Sequence, residues 1–394
     1  MTTCAGAGLS TLPEAVEAAR AAARQALEGA GAGSADFALL FATAPHRPHF
    51  GDLVQEAQRT LGTERVAGCG AWGVIAGAEE VEGRPAVAVL AIRSDRIGAL
   101  TLFAPIDPER PMSAAAEIRR RTAATGPGLT VLLPDPFVLR PDELLLAIDR
   151  LAPGLEVVGG ACSGDPSSQG TFQFCGRNVA TRAVSGLHLH GGLRRAIGVT
   201  QGCQPLGEPS RVTAGEGNVI LELDGRPALE VLRARLPPAL RDSLERLGGH
   251  LFLGYPPDPA QETILPGQYL VRTLVGADPQ RGALLAGAPV RRGQPLLLVL
   301  REAQAARDDL KTMLQRLRPE ETGIDYRFGL YFNCAGRGTP LYGVPGIDTA
   351  YITGALDGVP IAGFFGNAEI APLSGRNRLF TYTGVLVLVG EEAA

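Results

Sequence analysis

The same order of signals occurs three times along this 394-residue chain, and that recurrence limits its fold more than any single motif does. The first instance begins with the apolar segment Phe37–Thr43 and continues through a helical stretch near 51–61. It then bends at the glycine run Val66-Ala67-Gly68-Cys69-Gly70, as the later units are expected to do at theirs, and closes on Ala86–Ile92. The second has Leu129–Leu133, a helix over Pro141–Leu151, the run Val157-Val158-Gly159-Gly160-Ala161-Cys162, and Gly186–His190. The third has Phe328–Phe332, a helix near 348–356, the run Val359-Pro360-Ile361-Ala362-Gly363-Phe364, and Thr383–Val389. Units of roughly 55–65 residues are too long for a solenoid repeat. Three related lobes, or two domains of common descent, are expected instead.

Helices alternate with short strands, and several strands read as unbroken Val/Leu runs, which points to mixed α/β (α+β) sheets covered by helices. Further helices are expected from the capping box Thr11-Leu12-Pro13-Glu14 to Gly29, from Asp224 to about Leu236, and over Glu302–Leu317, where Pro319 stops the last. In the first of these, Leu12, Val16, Ala19, Ala23 and Leu27 share one face. Pro237-Pro238, Gly248-Gly249 and the turn-rich Tyr255–Pro259 break the pattern, which places a domain cut near residue 240, between domains 1–240 and 241–394.

A net charge of −4 offers no basic footprint for nucleic acid or anionic lipid. The first residues lack a signal peptide's charged start and apolar core, and no uncharged apolar run reaches the ~18 residues of a membrane span. A cytoplasmic address is the expectation. Six cysteines without a CxxC spell neither a zinc site nor a thioredoxin motif, and buried free thiols are expected.

Two segments carry the strongest candidates for chemistry. Asn333-Cys334-Ala335-Gly336-Arg337-Gly338 follows a strand, at the end where α/β sheets place ligands, and Arg337 offers a planar fork suited to a carboxylate. Gly363 to Ile370 joins Phe364, Asn367 and Glu369 as apolar wall, amide and acid. Glu369 could hold a ligand ammonium while Arg337 holds its carboxylate, with Arg376 and Asn377 closing the pocket. Without a ligand, the same residues read as a tight turn, a core and a capped loop. The equivalent glycine run near Cys162 and Ser163 could form an anion nest. A Cys162 thiolate activated by His188 or His190 would make a hydrolase, but no complete catalytic constellation is written in the chain. His188 and His190 share one strand face; they and His250 are haem-ligand candidates, with His46 and His49 as loop alternatives.

The stretch Gln201–Gly207 followed by Glu216-Gly217-Asn218-Val219-Ile220-Leu221-Glu222-Leu223-Asp224-Gly225 resembles the closing signature of the FIST N-terminal domain. Asn333–Gly338 with Ile361–Ile370 resembles the FIST C-terminal domain, except that Ala368 stands where relatives more often carry glycine. The resemblance implies a small-ligand sensory module of signal transduction, with amino acids or similar metabolites as ligands. It also offers an alternative, a haem-binding nitric oxide sensor that signals through a separate partner such as a histidine kinase. No kinase, transmitter or F-box segment is read in this chain, so the output is expected in another protein.

Overall fold

The computed structural model describes residues 3–110, 112–164, 170–241, 249–258, 260–265 and 267–392. The chain forms two compact units, one of residues 1–200, 310–379 and 383–394 and one of residues 201–309 and 380–382. The cut expected near residue 240 falls inside the second unit rather than at either of its ends.

The first unit is built from the threefold recurrence. Lobe one runs β1 (Cys4–Ser10), α1 (Ala15–Gly29), β2 (Phe37–Thr43), α2 (Phe50–Leu61), β3 (Val66–Ala71), the hairpin β4 (Gly73–Ala76) and β5 (Glu79–Glu82), then β6 (Val87–Arg93). Lobe two repeats this order with β7 (Ile97–Pro105), α3 (Met112–Thr122), β8 (Gly128–Pro134), α4 (Pro141–Leu151) and β9 (Glu156–Ala161). Its hairpin is β10 (Gln173–Cys175) and β11 (Asn178–Ala180), and β12 (Ala183–Gly191) closes it. Lobe three opens with β13 (Arg194–Gln201), after which the second unit interrupts the chain.

That second unit contains β14 (Cys203–Pro205), β15 (Ser210–Glu216), β16 (Val219–Leu223), β17 (Arg226–Pro227), α5 (Ala228–Arg235), β18 (Leu251–Tyr255), β19 (Leu270–Asp278), β20 (Ala283–Ala286) and β21 (Pro295–Arg301). Lobe three then resumes with α6 (Ala303–Arg316), α7 (Pro319–Thr322), β22 (Ile324–Cys334), α8 (Gly338–Tyr342), α9 (Ile347–Ala355) and β23 (Ile361–Gly366). The hairpin β24 (Ala368–Leu373) and β25 (Arg376–Phe380) follows, and β26 (Thr383–Glu392) ends the lobe.

The glycine runs read as bends are strands. β3, β9 and β23 each lie parallel to the strand before them, and β6, β12 and β26 pair antiparallel on the other side. The glycines are required because the backbones meet closely: a Cβ would come within 1.7 Å of the Leu40 carbonyl oxygen at Gly68, 2.0 Å of Leu132 at Gly159 and 1.8 Å of Tyr331 at Gly363. The hairpins are exchanged in a cycle. Lobe one's β4 pairs with β23, lobe two's β10 with β3, and lobe three's β24 with β9. Each sheet is thereby covered by its own helices on one face and by neighbouring sheets on the other. Phe37–Thr43 is accordingly buried at all seven positions, as an unbroken apolar run demands.

Two sequence expectations about helix starts fail. Leu12 is 45% exposed, and α1 buries Ala15, Ala18, Ala19, Ala22, Ala23, Ala26 and Leu27 instead. Small residues are needed there, since a Cβ at Gly6 or Gly8 of β1 would lie 2.1 Å from a carbonyl of that helix. Neither α1 nor α5 has a side-chain cap; Asp224 turns the chain at φ 53° and accepts the Arg211 amide, leaving Pro227 as the N-cap.

In the second unit, β21, β15, β16, β20, β19 and β18 pair antiparallel in that order, and β18 pairs back to β21. The ring closes, which removes the unpaired edges of an open sheet. Alternation sends Leu251, Leu253, Leu296 and Leu298 to one core and Phe252, Leu297 and Val299 to another.

Candidate functional site

At the carboxyl end of β22 the sequence places polar residues where burial is complete. Asn333 and Arg337 are both 0% exposed, and Arg337 is the largest fully buried side chain among the described residues. An isolated buried guanidinium is prohibitive, so its partner must be found. It is Asp348, in the first turn of α9. Arg337 Nε donates to Asp348 Oδ2 at 3.1 Å and Nη2 to Oδ1 at 3.2 Å. Tyr331, Tyr342 and the Asn333 amide also donate to this carboxylate, at 2.8, 2.7 and 3.1 Å. Burial works to raise the Asp348 carboxyl, but the Arg337 charge and these donors overcome it and hold it below the usual range. Tyr331 is pushed up by burial and by the Asp348 charge.

The fork expected to await a ligand carboxylate is therefore occupied by the protein's own acid. The sequence reading took Asp348 only as the start of a helix. The signal that could have found it is that Asp348 is the lone acid in the apolar segment Ile347–Ala355.

Glu369 lies in the same neighbourhood, close enough to feel the Arg337 charge. It is 0% exposed, and its Oε2 accepts both the Thr383 hydroxyl at 2.7 Å and the Thr383 amide at 3.3 Å. Burial raises its carboxyl to about 8, against the lowering effects of Thr383, Arg337 and the Cys334 thiol, so it is mostly protonated at neutral pH. Two buried atoms of the cluster have no partner: Arg337 Nη1 and Glu369 Oε1.

The remaining predicted residues divide. Phe364 is core, its ring 5.1 Å from Phe41 and 5.8 Å from Phe332. Gly363 serves the strand approach described above, and a Cβ on Gly338 would strike Glu82 and Phe365. Asn367 is exposed, with its amide on the Ala161 carbonyl. Arg376 is exposed and Asn377 is committed to lobe two, bonding Asp149, Leu155 and Val157, so neither closes a pocket at Arg337.

Cys162 is buried beside Cys69, whose thiol is pushed up by burial and then by Cys162. His188 is fully buried with both ring nitrogens engaged, Nδ1 with Thr130 Oγ1 at 2.9 Å and Nε2 with the Gly126 carbonyl at 3.1 Å. It can neither activate Cys162 nor ligate haem without breaking one of these bonds. His190 stacks 6.2 Å from it, half-buried, and His250 is exposed. His46, by contrast, is buried with Nε2 unpartnered. No group of three or more His, Cys, Asp or Glu is placed to hold a metal among the described residues.

Ser163 lines a small cavity of about 20 Å³, room for one water, with Ala44, Arg47, Phe50, Gly70, Ala71 and Thr171 among its walls. Two wider grooves, of about 580 and 590 Å³, lie along α2 and at the amino end of β8. No helix among the described residues is long and apolar enough to cross a membrane.

Comparison with known families divides the chain near residue 227, inside the second compact unit. The FIST N domain family matches residues 36–226 and the FIST C domain family residues 228–372. Uncharacterized protein Rv0628c of Mycobacterium tuberculosis (strain ATCC 25618 / H37Rv) is 36% identical over 385 residues, covering 97% of this chain and 98% of its own. Uncharacterized protein Mb0898c of Mycobacterium bovis is 33% identical over the same shares. Among solved structures, a cyanuric acid hydrolase from A. caulinodans aligns over 99% of this chain and 100% of its own, at 10% identity and a TM-score of 0.36.

Proposed function

The chain belongs to the FIST family, with an N domain followed by a C domain, and from that premise we propose a cytoplasmic small-ligand-binding sensory protein of signal transduction that is not itself an enzyme. FIST domains are associated with small-ligand sensing in signalling. The observation that carries the reading to a place is the pair of unpartnered buried atoms, Arg337 Nη1 and Glu369 Oε1. Such atoms cost about 1–3 kcal/mol each, and native structures rarely leave them so without a reason. A ligand bearing hydrogen-bonding groups at both ends, an amino acid for example, would supply both partners.

Entry requires movement, because both side chains are shut from solvent. The segment over them is pinned by lobe one's hairpin. Glu82 accepts the Thr339 amide and hydroxyl at 2.9 Å each, and Glu80 accepts the amides of Gly346 at 2.8 Å and Thr349 at 3.2 Å. Lifting α8 and α9 breaks those bonds and alters the outer face of the hairpin, which gives a separate signalling protein something to read.

The reading is tested by screening amino acids and related metabolites for a rise in thermal midpoint. An ammonium-bearing ligand needs Glu369 ionised, so its affinity should climb as pH rises through about 8 and then level off. In Glu369→Gln, which keeps the carbonyl acceptor for Thr383, that climb should vanish. A ligand shift of unchanged size and pH dependence in this variant would move the site elsewhere. A visible spectrum without a Soret band is expected throughout.

A further inference from the structure

Lobe one's hairpin sets an acid against an acid of lobe three. Side chains alternate along β5, so Glu80 and Glu82 face the same way, toward α8 and α9. Glu82 is half-buried and holds the start of α8. Glu80 is buried, and its partners are neutral: Oε2 accepts the Gly346 amide at 2.8 Å and Oε1 the Thr349 amide at 3.2 Å. The charge that acts on it from α9 is of its own sign, the buried carboxylate of Asp348. Around these two acids stand Glu79 and Glu82 on the same strand as Glu80, the Thr339 hydroxyl bonded to Glu82, and Arg337 and Tyr342 bonded to Asp348.

A carboxyl so placed keeps its proton while the contact is closed. Ionised, Glu80 would bond the two amides more strongly. Burial and the Asp348 charge outweigh that gain and push it up to about 7. Released into water, the same carboxyl ionises in its ordinary range near 4.5. The closed contact therefore binds the proton more tightly than the open one does. Closure is strongest in acid, loosens as pH rises from 4.5 to about 7, and is level above that. The turn that would move has room to do so. Gly343 and Gly346, at φ 76° and 81°, have open space where a side chain would stand, and Val344 between them is exposed.

From this contact we infer that Glu80 is a proton-operated latch: protonated, it keeps α9 shut over the Arg337 cluster, and ionised, it lets the start of α9 lift. The latch regulates the site proposed above and rests on that reading. Glu369 acts in the same direction, since it too must lose a proton before it can hold an ammonium.

The test is amide hydrogen exchange on the full chain from pH 5 to pH 8.5, each rate divided by the unstructured rate at the same pH. Protection of the Gly346 and Thr349 amides should fall about tenfold per pH unit from 5 to 6.5, as the release of one proton requires, and level off above 7. Protection there should stay below that of the β22 amides, which marks the opening as local. The Arg337 Nε–H, read by NMR in the same samples, should follow the two amides, because water that passes α9 reaches the guanidinium. In Glu80→Gln, which cannot ionise, the slope should vanish at all three groups. A flat wild-type profile, protection equal to that of β22, an Arg337 Nε–H that ignores the slope at Thr349, or a slope that survives in Glu80→Gln would each overturn the latch. No ligand enters the measurement, so its failure is distinct from a failure of the binding proposal: a chain that binds no amino acid can still show the latch, and one that binds them can lack it.

Discussion

At the residue scale, the buried cluster depends on one carboxylate answering several donors. Asp348 neutralises Arg337 and collects hydrogen bonds from Tyr331, Asn333 and Tyr342, all while 1% exposed. Asp348→Asn keeps the shape and removes the charge, which leaves a guanidinium buried without an anion. Breaking a buried pair in this way costs about 3–5 kcal/mol, and a loss of that size in urea unfolding is the expected outcome. A cost below about 1 kcal/mol would mean that water or Glu369 already shares the charge. Arg337 was visible in the sequence as a candidate and its neighbour Glu369 as another, but their relation was not. A fork suited to a ligand carboxylate is equally suited to an aspartate eleven positions on, and only the return of α9 over the strand end decides between them.

At the scale of elements, the exchanged hairpin β4–β5 caps helices of another lobe. α9 starts after Gly346 with no side-chain cap of its own, and Glu80 provides the acceptors from a distant part of the chain. Removing a cap costs about 0.5–2 kcal/mol locally. Glu80→Ala should therefore speed hydrogen exchange at the Gly346 and Thr349 amides while leaving protection in β22 and β26 unchanged; uniform loss of protection would show that the hairpin holds the whole lobe rather than the helix start. This exchange is also what sequence reading could not reach. The recurrence pointed to three lobes or two related domains, and nearly every long apolar run became the expected strand, because periodicity and glycine spacing are local. Pairing is not local: nothing in Gly73–Glu82 says that it joins β23 rather than its own β3. The glycine runs were misread as bends for a related reason. A glycine that admits a neighbouring carbonyl at Gly68, Gly159 or Gly363 looks, in sequence, like a glycine that turns.

At the scale of the whole molecule, buried carboxyls oppose exposed ion pairs in setting the response to pH. Glu80 and Glu369 are raised from 4.5 to about 7 and about 8, so the native state holds protons that the unfolded chain has released, and stability falls as pH rises across that interval. Glu56 and Glu117, held near 2 by arginine partners, act in the opposite sense, and their stability is lost only as pH drops from 4.5 toward 2. His46 and His188 are lowered from 6.5 by burial, so the unfolded chain binds protons that they do not, and stability rises with pH as it approaches 6.5. The histidines thus offset the two acids below pH 6.5. Above it the histidine contribution fades within about one pH unit, and the buried acids outweigh it. Urea midpoints should accordingly decline from pH 6.5 to pH 8 in wild type. Most of that decline should disappear in Glu369→Gln, because Glu80, already half titrated near 7, contributes the smaller share over this interval. A wild-type midpoint that is flat or rising over this interval would mean that Glu369 is ionised in the folded chain, with Arg337 Nη1 as its counter-ion.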